Sequence, residues 1–152
     1  MKILIKNGYI VNENKIFESD ILVNGELIEK IDKKISSSDV DKVIDCEGSL
    51  ILPGIIDDQV HFREPGYPNK ATIYSESRAA VAGGITSYFE MPNTNPSTTT
   101  IESLNHKFKI ASMSSLANYS FMFGGTNQNI NEVKKLPEHE VPGIKLFLGS
   151  ST

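Results

Sequence analysis

Short apolar runs broken by turn residues fill the first third of the chain. "KILIKNGYIV", "DILVNGELIEKI" and "KVIDCEGSLIL" are rich in Ile, Leu and Val, side chains that pack well on a pleated surface. Asn7-Gly8 and Asn24-Gly25 read as two-residue hairpin turns, because both residue types tolerate the positive φ of tight turns. The pattern predicts a β-rich segment, a small sheet or sandwich, over residues 1–53.

After Pro53-Gly54 strands alternate with helices. A strand is predicted over 55–61, a helix over 72–82 stopped by Gly83-Gly84, and a strand at "ITSYFEM". Beyond the loop "PNTNPSTTT", Ile101, Leu104, Phe108 and Ala111 recur at helical spacing behind threonines suited to N-caps. A third strand fits "NYSFMF", a short helix "NINEVKKL", and a fourth strand "GIKLFLG" at 143–149. Such alternation builds βαβ units and hence a parallel sheet.

Ligand sites of parallel α/β folds form at the carboxyl ends of the strands, where the outgoing loops meet. Those ends carry His61 and Arg63, then Asn93, then Thr126 and Asn127, then Lys145. In "PGIIDDQVHFREPG" the residues Asp57, Gln59, His61 and Arg63 fall at every second position, which puts them on one face of a strand. A pair at that spacing can hold a metal, and a hydrogen-bonded core histidine explains His61 as well. Lys145 sits inside "IKLFL", where an unpaired ammonium is costly to bury. It either snorkels or pairs with a carboxylate such as Asp57, or it is functional.

Composition narrows the classes. At 152 residues and 39% hydrophobic, the chain can bury one sizeable core. A net charge of -4, with pI near 5.4 and no basic stripe, argues against nucleic acid as a partner. No apolar run reaches the roughly 18 residues of a membrane span, and "MKILIKNGYIVNE" lacks a signal-peptide pattern, so a cytoplasmic setting is expected. Cys46 is the one cysteine and reads as a small packed side chain.

"LPGIIDDQVHFREPG", "AAVAGGITSYFEMPNTNP" and "GIKLFLGSST", in this order and spacing, resemble the amidohydrolase superfamily and most closely its dihydroorotase family. The resemblance extends over the whole chain. It implies an α/β fold, the first half of a (β/α)8 TIM-type barrel over 54–152, preceded by part of a composite β-sandwich over 1–53. It implies a zinc-dependent cyclic amidase interconverting N-carbamoyl-aspartate and dihydroorotate in pyrimidine synthesis, a small-molecule enzyme expected to be a homo-oligomer. Carried over by motif, His61 matches the second histidine of the family's His-x-His metal motif and belongs to the substrate pocket. Arg63 and Asn93 match the pair that binds the substrate carboxylate, and Lys145 matches a lysine that is carboxylated in one branch and bridges two metals. Glu64-Pro65-Gly66 shapes the turn that aims Arg63.

Two departures stand out. Gln59 occupies the position of the family's first histidine, and a neutral amide oxygen is a weaker zinc ligand than imidazole. The metal content of a complete protein is therefore expected nearer one than two. A whole barrel also needs about 250 residues, so the catalytic aspartate and remaining histidines are expected beyond Thr152, the natural chain is expected to exceed 16.8 kDa, and residues 1–152 alone are expected to be inactive. His106 and His139 read as solvated. The alternatives are a hydantoinase- or allantoinase-type cyclic amidase and a non-catalytic scaffold, the latter favoured by Gln59.

Overall fold

Strand β1 (Lys2–Asn12) runs antiparallel to β2 (Lys15–Asn24), which runs antiparallel to β3 (Leu27–Asp32). On the other side of β1, β4 (Lys42–Asp45) and β5 (Leu50–Ile51) pair with it in parallel. This computed structural model describes residues 1–149, so Ser150, Ser151 and Thr152 of the "GIKLFLGSST" motif lie outside the described residues. The backbone divides into two units at Pro53/Gly54, and each is described by itself.

In the first unit the turn chemistry corrects one expectation. Asn24-Gly25 does begin a hairpin, with Gly25 at φ +61° between the paired Asn24 and Leu27. Asn7-Gly8 instead lies inside β1 at a register shift between Ile5 and Gly8, with Asn7 at φ +57°. A bulge leaves one residue out of the ladder. Here the Asp20 carboxylate, only 7% exposed, accepts the Asn7 backbone N–H at 3.2 Å and that of Ile35 at 2.9 Å. The Asn7 side chain donates to both Asp45 oxygens. The β1–β2 hairpin turns at Glu13-Asn14, with φ of +49° and +61°, the double positive pattern of a type I′ turn. Cys46 is half-buried beside Gly8.

The second unit is built on β6 (Ile55–Val60), β7 (Ile85–Glu90) and β8 (Asn118–Phe121), paired in that order and all parallel. The expected third strand is divided at Met122: its first part pairs with β7, and its continuation β9 (Phe123–Gly124) pairs in parallel with β10 (Ile144–Lys145). The expected fourth strand over 143–149 is thus shorter, because only Ile144 and Lys145 have ladder partners. Leu146, Phe147 and Leu148 are exposed. Among the described residues, β6 and β10 each carry a strand on one side only.

Helix α1 (Ile73–Ala82) follows β6, and α2 (Ile101–Ser114) follows β7. Each starts in a capping box, Thr72 with Ser75 and Thr100 with Ser103, which satisfies the first orphan amide donors. Glutamates from elsewhere in the chain add to this: Glu64 accepts from the Ile73 N–H at 2.7 Å and Glu132, of the short helix that follows β9, from that of Ile101 at 3.0 Å. Gly84, at φ +89°, ends α1 as its sequence predicts. A short helix, α3 (Ile130–Val133), precedes β10. The core joins Phe62, Ile73, Tyr88, Leu104, Ala111, Phe121 and Phe123. No helix of the described residues is long and apolar enough to cross a membrane.

Candidate functional site

The predicted site residues all belong to the second unit. The expected alternation from Asp57 to Arg63 does not hold throughout. Asp57 pairs with Tyr88 and Val60 with Glu90, so Asp58 and Gln59 together oppose the single Phe89. This bulge resets the period of two: Val60 and Phe62 pack on the core, and the Asp57 carboxylate turns to accept the Gln59 backbone N–H at 3.1 Å. Arg63 lies beyond the end of β6 at φ +65°. Its direction therefore comes from the "REPG" turn and not from strand pleating.

Val60 and Glu90 are opposite one another, so Arg63 and Asn93 stand equally far beyond one rung of the β6–β7 ladder. His61 is brought to Asn93: the imidazole Nδ1 is 2.8 Å from the Asn93 Oδ1. With the amide oxygen as acceptor, Nδ1 carries the proton and Nε2 keeps its lone pair. Both residues and Arg63 are half-buried. Asn93 also lines a cleft of about 130 Å³ with Gly124, Gly125, Thr126 and Phe147, residues at the ends of the neighbouring strands. Thr126 and Asn127 are exposed.

Lys145 and Gln59 meet although their strands, β10 and β6, are the two ends of the strip. The Lys145 Nζ donates to the Gln59 Oε1 at 3.5 Å and lies 5.7 Å from the Phe147 ring centroid. Three ladder steps of about 4.8 Å would hold upright side chains on a flat sheet some 14 Å apart. The two long side chains therefore lean toward one another across the intervening strands. Among the described residues no carboxylate pairs with Lys145, so Asp57 is not its partner. His106 and His139 are exposed, and no group of three or more His, Cys, Asp or Glu residues gathers at one point among the described residues.

One pair at the site went unnoticed in sequence. Glu90, at the end of β7, and Lys107, on the core face of α2, form an ion pair exposed by 1% and 0%. Lys107 also donates to the Met91 carbonyl at 2.9 Å. Burial pushes the Glu90 carboxyl up to about 7 although Lys107, the Phe62 backbone N–H and Arg63 all pull the other way. Burial likewise lowers Lys107, against the attraction of Glu90. The available signal was position: Lys107 falls on the same helical face as Leu104 and Ala111, where a lysine needs a partner.

Comparison with known proteins shows the family. The model of the dihydro-orotase-like family matches residues 48–134, and the chain belongs to that family. A dihydroorotase from Methanosarcina acetivorans is 40% identical over 149 residues, 97% of this chain and 32% of that protein. An allantoinase from Desulfitobacterium hafniense is 36% identical over 146 residues, 95% of this chain and 32% of that protein. Among solved structures, the L-hydantoinase (dihydropyrimidinase) from Arthrobacter aurescens matches with a TM-score of 0.93 and 30% identity, over 99% of this chain and 34% of that one. The chain spans about a third of the length of these relatives.

Proposed function

We propose that this chain carries the acid-binding part of a cyclic-amide hydrolase, and that the complete enzyme interconverts dihydroorotate and N-carbamoyl-L-aspartate. The observation that carries the reading is the His61–Asn93 hydrogen bond, with Arg63 level with it beyond the same rung. Arg63 offers a planar fork that grips a carboxylate by two parallel bonds, and the Asn93 amide adds a donor. In this reading β6, β7, β8 with its continuation β9, and β10 are four strands of a (β/α)8 barrel, and the first unit is part of a β-sandwich. Two open strip edges favour self-association, and a cytoplasmic setting belongs to the same proposal.

The metal fit is partial. His61 offers Nε2, and a carbamate on Lys145 would supply an anionic oxygen, both suitable for zinc. Gln59 brings only a neutral amide oxygen, which faces the Lys145 ammonium. The residues thus fit two donors of one zinc position, and the complete protein should hold nearer one zinc than two. When bound, zinc polarises an amide carbonyl and lowers the pKa of a coordinated water. Arg63 and Asn93 orient the substrate, and Asn93 holds the His61 tautomer.

The test is hydrolysis of dihydroorotate, hydantoin and allantoin by the protein purified from its host. Dihydroorotate should be preferred, and Arg63→Met should raise its KM far more than that for the uncharged ring. Residues 1–152 alone should give no turnover; measurable hydrolysis would refute that part. A second reading, a hydantoinase- or allantoinase-type enzyme, is supported by the L-hydantoinase and allantoinase similarity. It replaces the first if the uncharged rings are hydrolysed faster.

A further inference from the structure

The three residues assigned to the ligand come from two strand ends, and a single buried pair touches both. Glu90 stands opposite Val60 on the β6–β7 ladder, and the backbone N–H of Phe62, the residue between His61 and Arg63, helps to hold its carboxyl down. Lys107 reaches from α2 to that carboxylate and to the Met91 carbonyl, two residues before Asn93. The same segment is tied into the sheet by Met91 N–H to the Val60 carbonyl and Met122 N–H to the Glu90 carbonyl, both at 3.0 Å. The pair thus binds β6, β7 and α2 at the level where the site begins.

We propose that Glu90 and Lys107 are positioning residues: together they hold Met91 and the Val60–Glu90 rung so that the His61 imidazole meets the Asn93 amide and Arg63 is aimed beside them. Neither touches the ligand. The Met91 carbonyl that Lys107 holds lies two residues before Asn93, and Val60, which accepts the Met91 N–H, lies one residue before His61. A wholly buried charge pair is weak support for stability alone, since apolar replacements of similar volume are often as stable. Its directional bonds to two strand ends are what an apolar pair would not reproduce.

This inference rests on the reading of His61, Arg63 and Asn93 as the ligand-binding group, but its test does not need activity. The readout is the ring-nitrogen NMR signature of His61 in the 152-residue chain at fixed pH. Asn93→Ala supplies the signature of a released imidazole. Lys107→Met should move His61 to that signature while the amide spectrum elsewhere stays folded. Should the unpaired Glu90 prevent folding of that variant, Glu90→Gln/Lys107→Met removes both charges, and it should release His61 as well. Arg78→Ala is the control: Arg78 ties α1 to the Ser114 carbonyl of α2 at 3.2 Å, away from the site, and its loss should leave His61 unchanged. If the Lys107 variants keep the wild-type His61 signature, or Arg78→Ala releases His61 equally, the pair is merely structural and the proposal falls. Failure of the complete enzyme to hydrolyse dihydroorotate, with His61 of the 152-residue chain responding as described, would overturn the functional reading and leave the positioning role standing.

Discussion

Replacing Lys107 with Met should change how stability depends on pH, in a direction that follows from burial. In the wild-type protein the Glu90 carboxyl is raised from 4.5 to about 7. A raised carboxyl contributes its full stability below pH 4.5 and loses it as pH climbs to the folded value. At about 1.4 kcal/mol per unit, Glu90 costs the wild type about 3 kcal/mol between pH 4.5 and 7, and the loss then levels off. Without Lys107 the carboxyl titrates higher still, so the decline continues. The variant should fall behind by up to about 2 kcal/mol more at pH 8.5 than at pH 7. The vacated Met91 carbonyl adds a pH-independent loss of about 1–3 kcal/mol. Lys107 has a lowered pKa in the folded chain, so its own contribution in the wild type grows as pH rises, which widens the gap in the same direction. Urea unfolding followed through the Tyr88 and Phe121 amide signals reads the second unit by itself. Curves for wild type and Lys107→Met that stay parallel above pH 7 would refute the reasoning.

Three further outcomes are expected. Gly66→Ala should cost about 1–3 kcal/mol, seen as a lower Tm, because left-handed backbone is strained for alanine. Gly66 sits at φ +102°, where a Cβ would stand 2.4 Å from the Asn95 carbonyl oxygen; an unchanged Tm would contradict that account. Leu104→Ala, at a position with no exposure, should lose about 2–5 kcal/mol in urea unfolding. Gln59→His should raise the zinc retained per complete chain after dialysis, measured by atomic emission; no gain would show that Gln59 does not limit the metal site.

Much of the second unit was legible because its signals are local. Thr100 caps a helix whose apolar spacing is visible in the sequence, and Gly84 stops the helix before it. Turn chemistry was less decisive. Asn7-Gly8 and Asn24-Gly25 look alike, yet the first is a bulge, because Asp20 stands ready to take the Asn7 N–H. The real β1–β2 turn at Glu13-Asn14 has no glycine to announce it. The Asp57–Val60 bulge was equally hidden, since only pairing with β7 shows that two residues oppose Phe89. The apolar "IKLFL" has the composition of a longer strand, but strand length depends on ladder partners, and β9 offers two. For the site, position at the strand ends and the family resemblance select His61, Arg63, Asn93 and Lys145, and the structure brings His61 to Asn93 and Lys145 to Gln59. The Glu90–Lys107 pair was not legible, because its meaning lies in a contact between a strand end and a helix.

The central claim, that the ends of β6 and β7 bind an acidic cyclic amide, is tested most directly by NMR titration of the chain with dihydroorotate, using hydantoin as the uncharged comparison. The account expects dihydroorotate to shift the His61, Arg63 and Asn93 signals, with Arg63→Met abolishing the response and hydantoin producing little. Equal shifts from both compounds, or shifts that avoid these three residues, would contradict it.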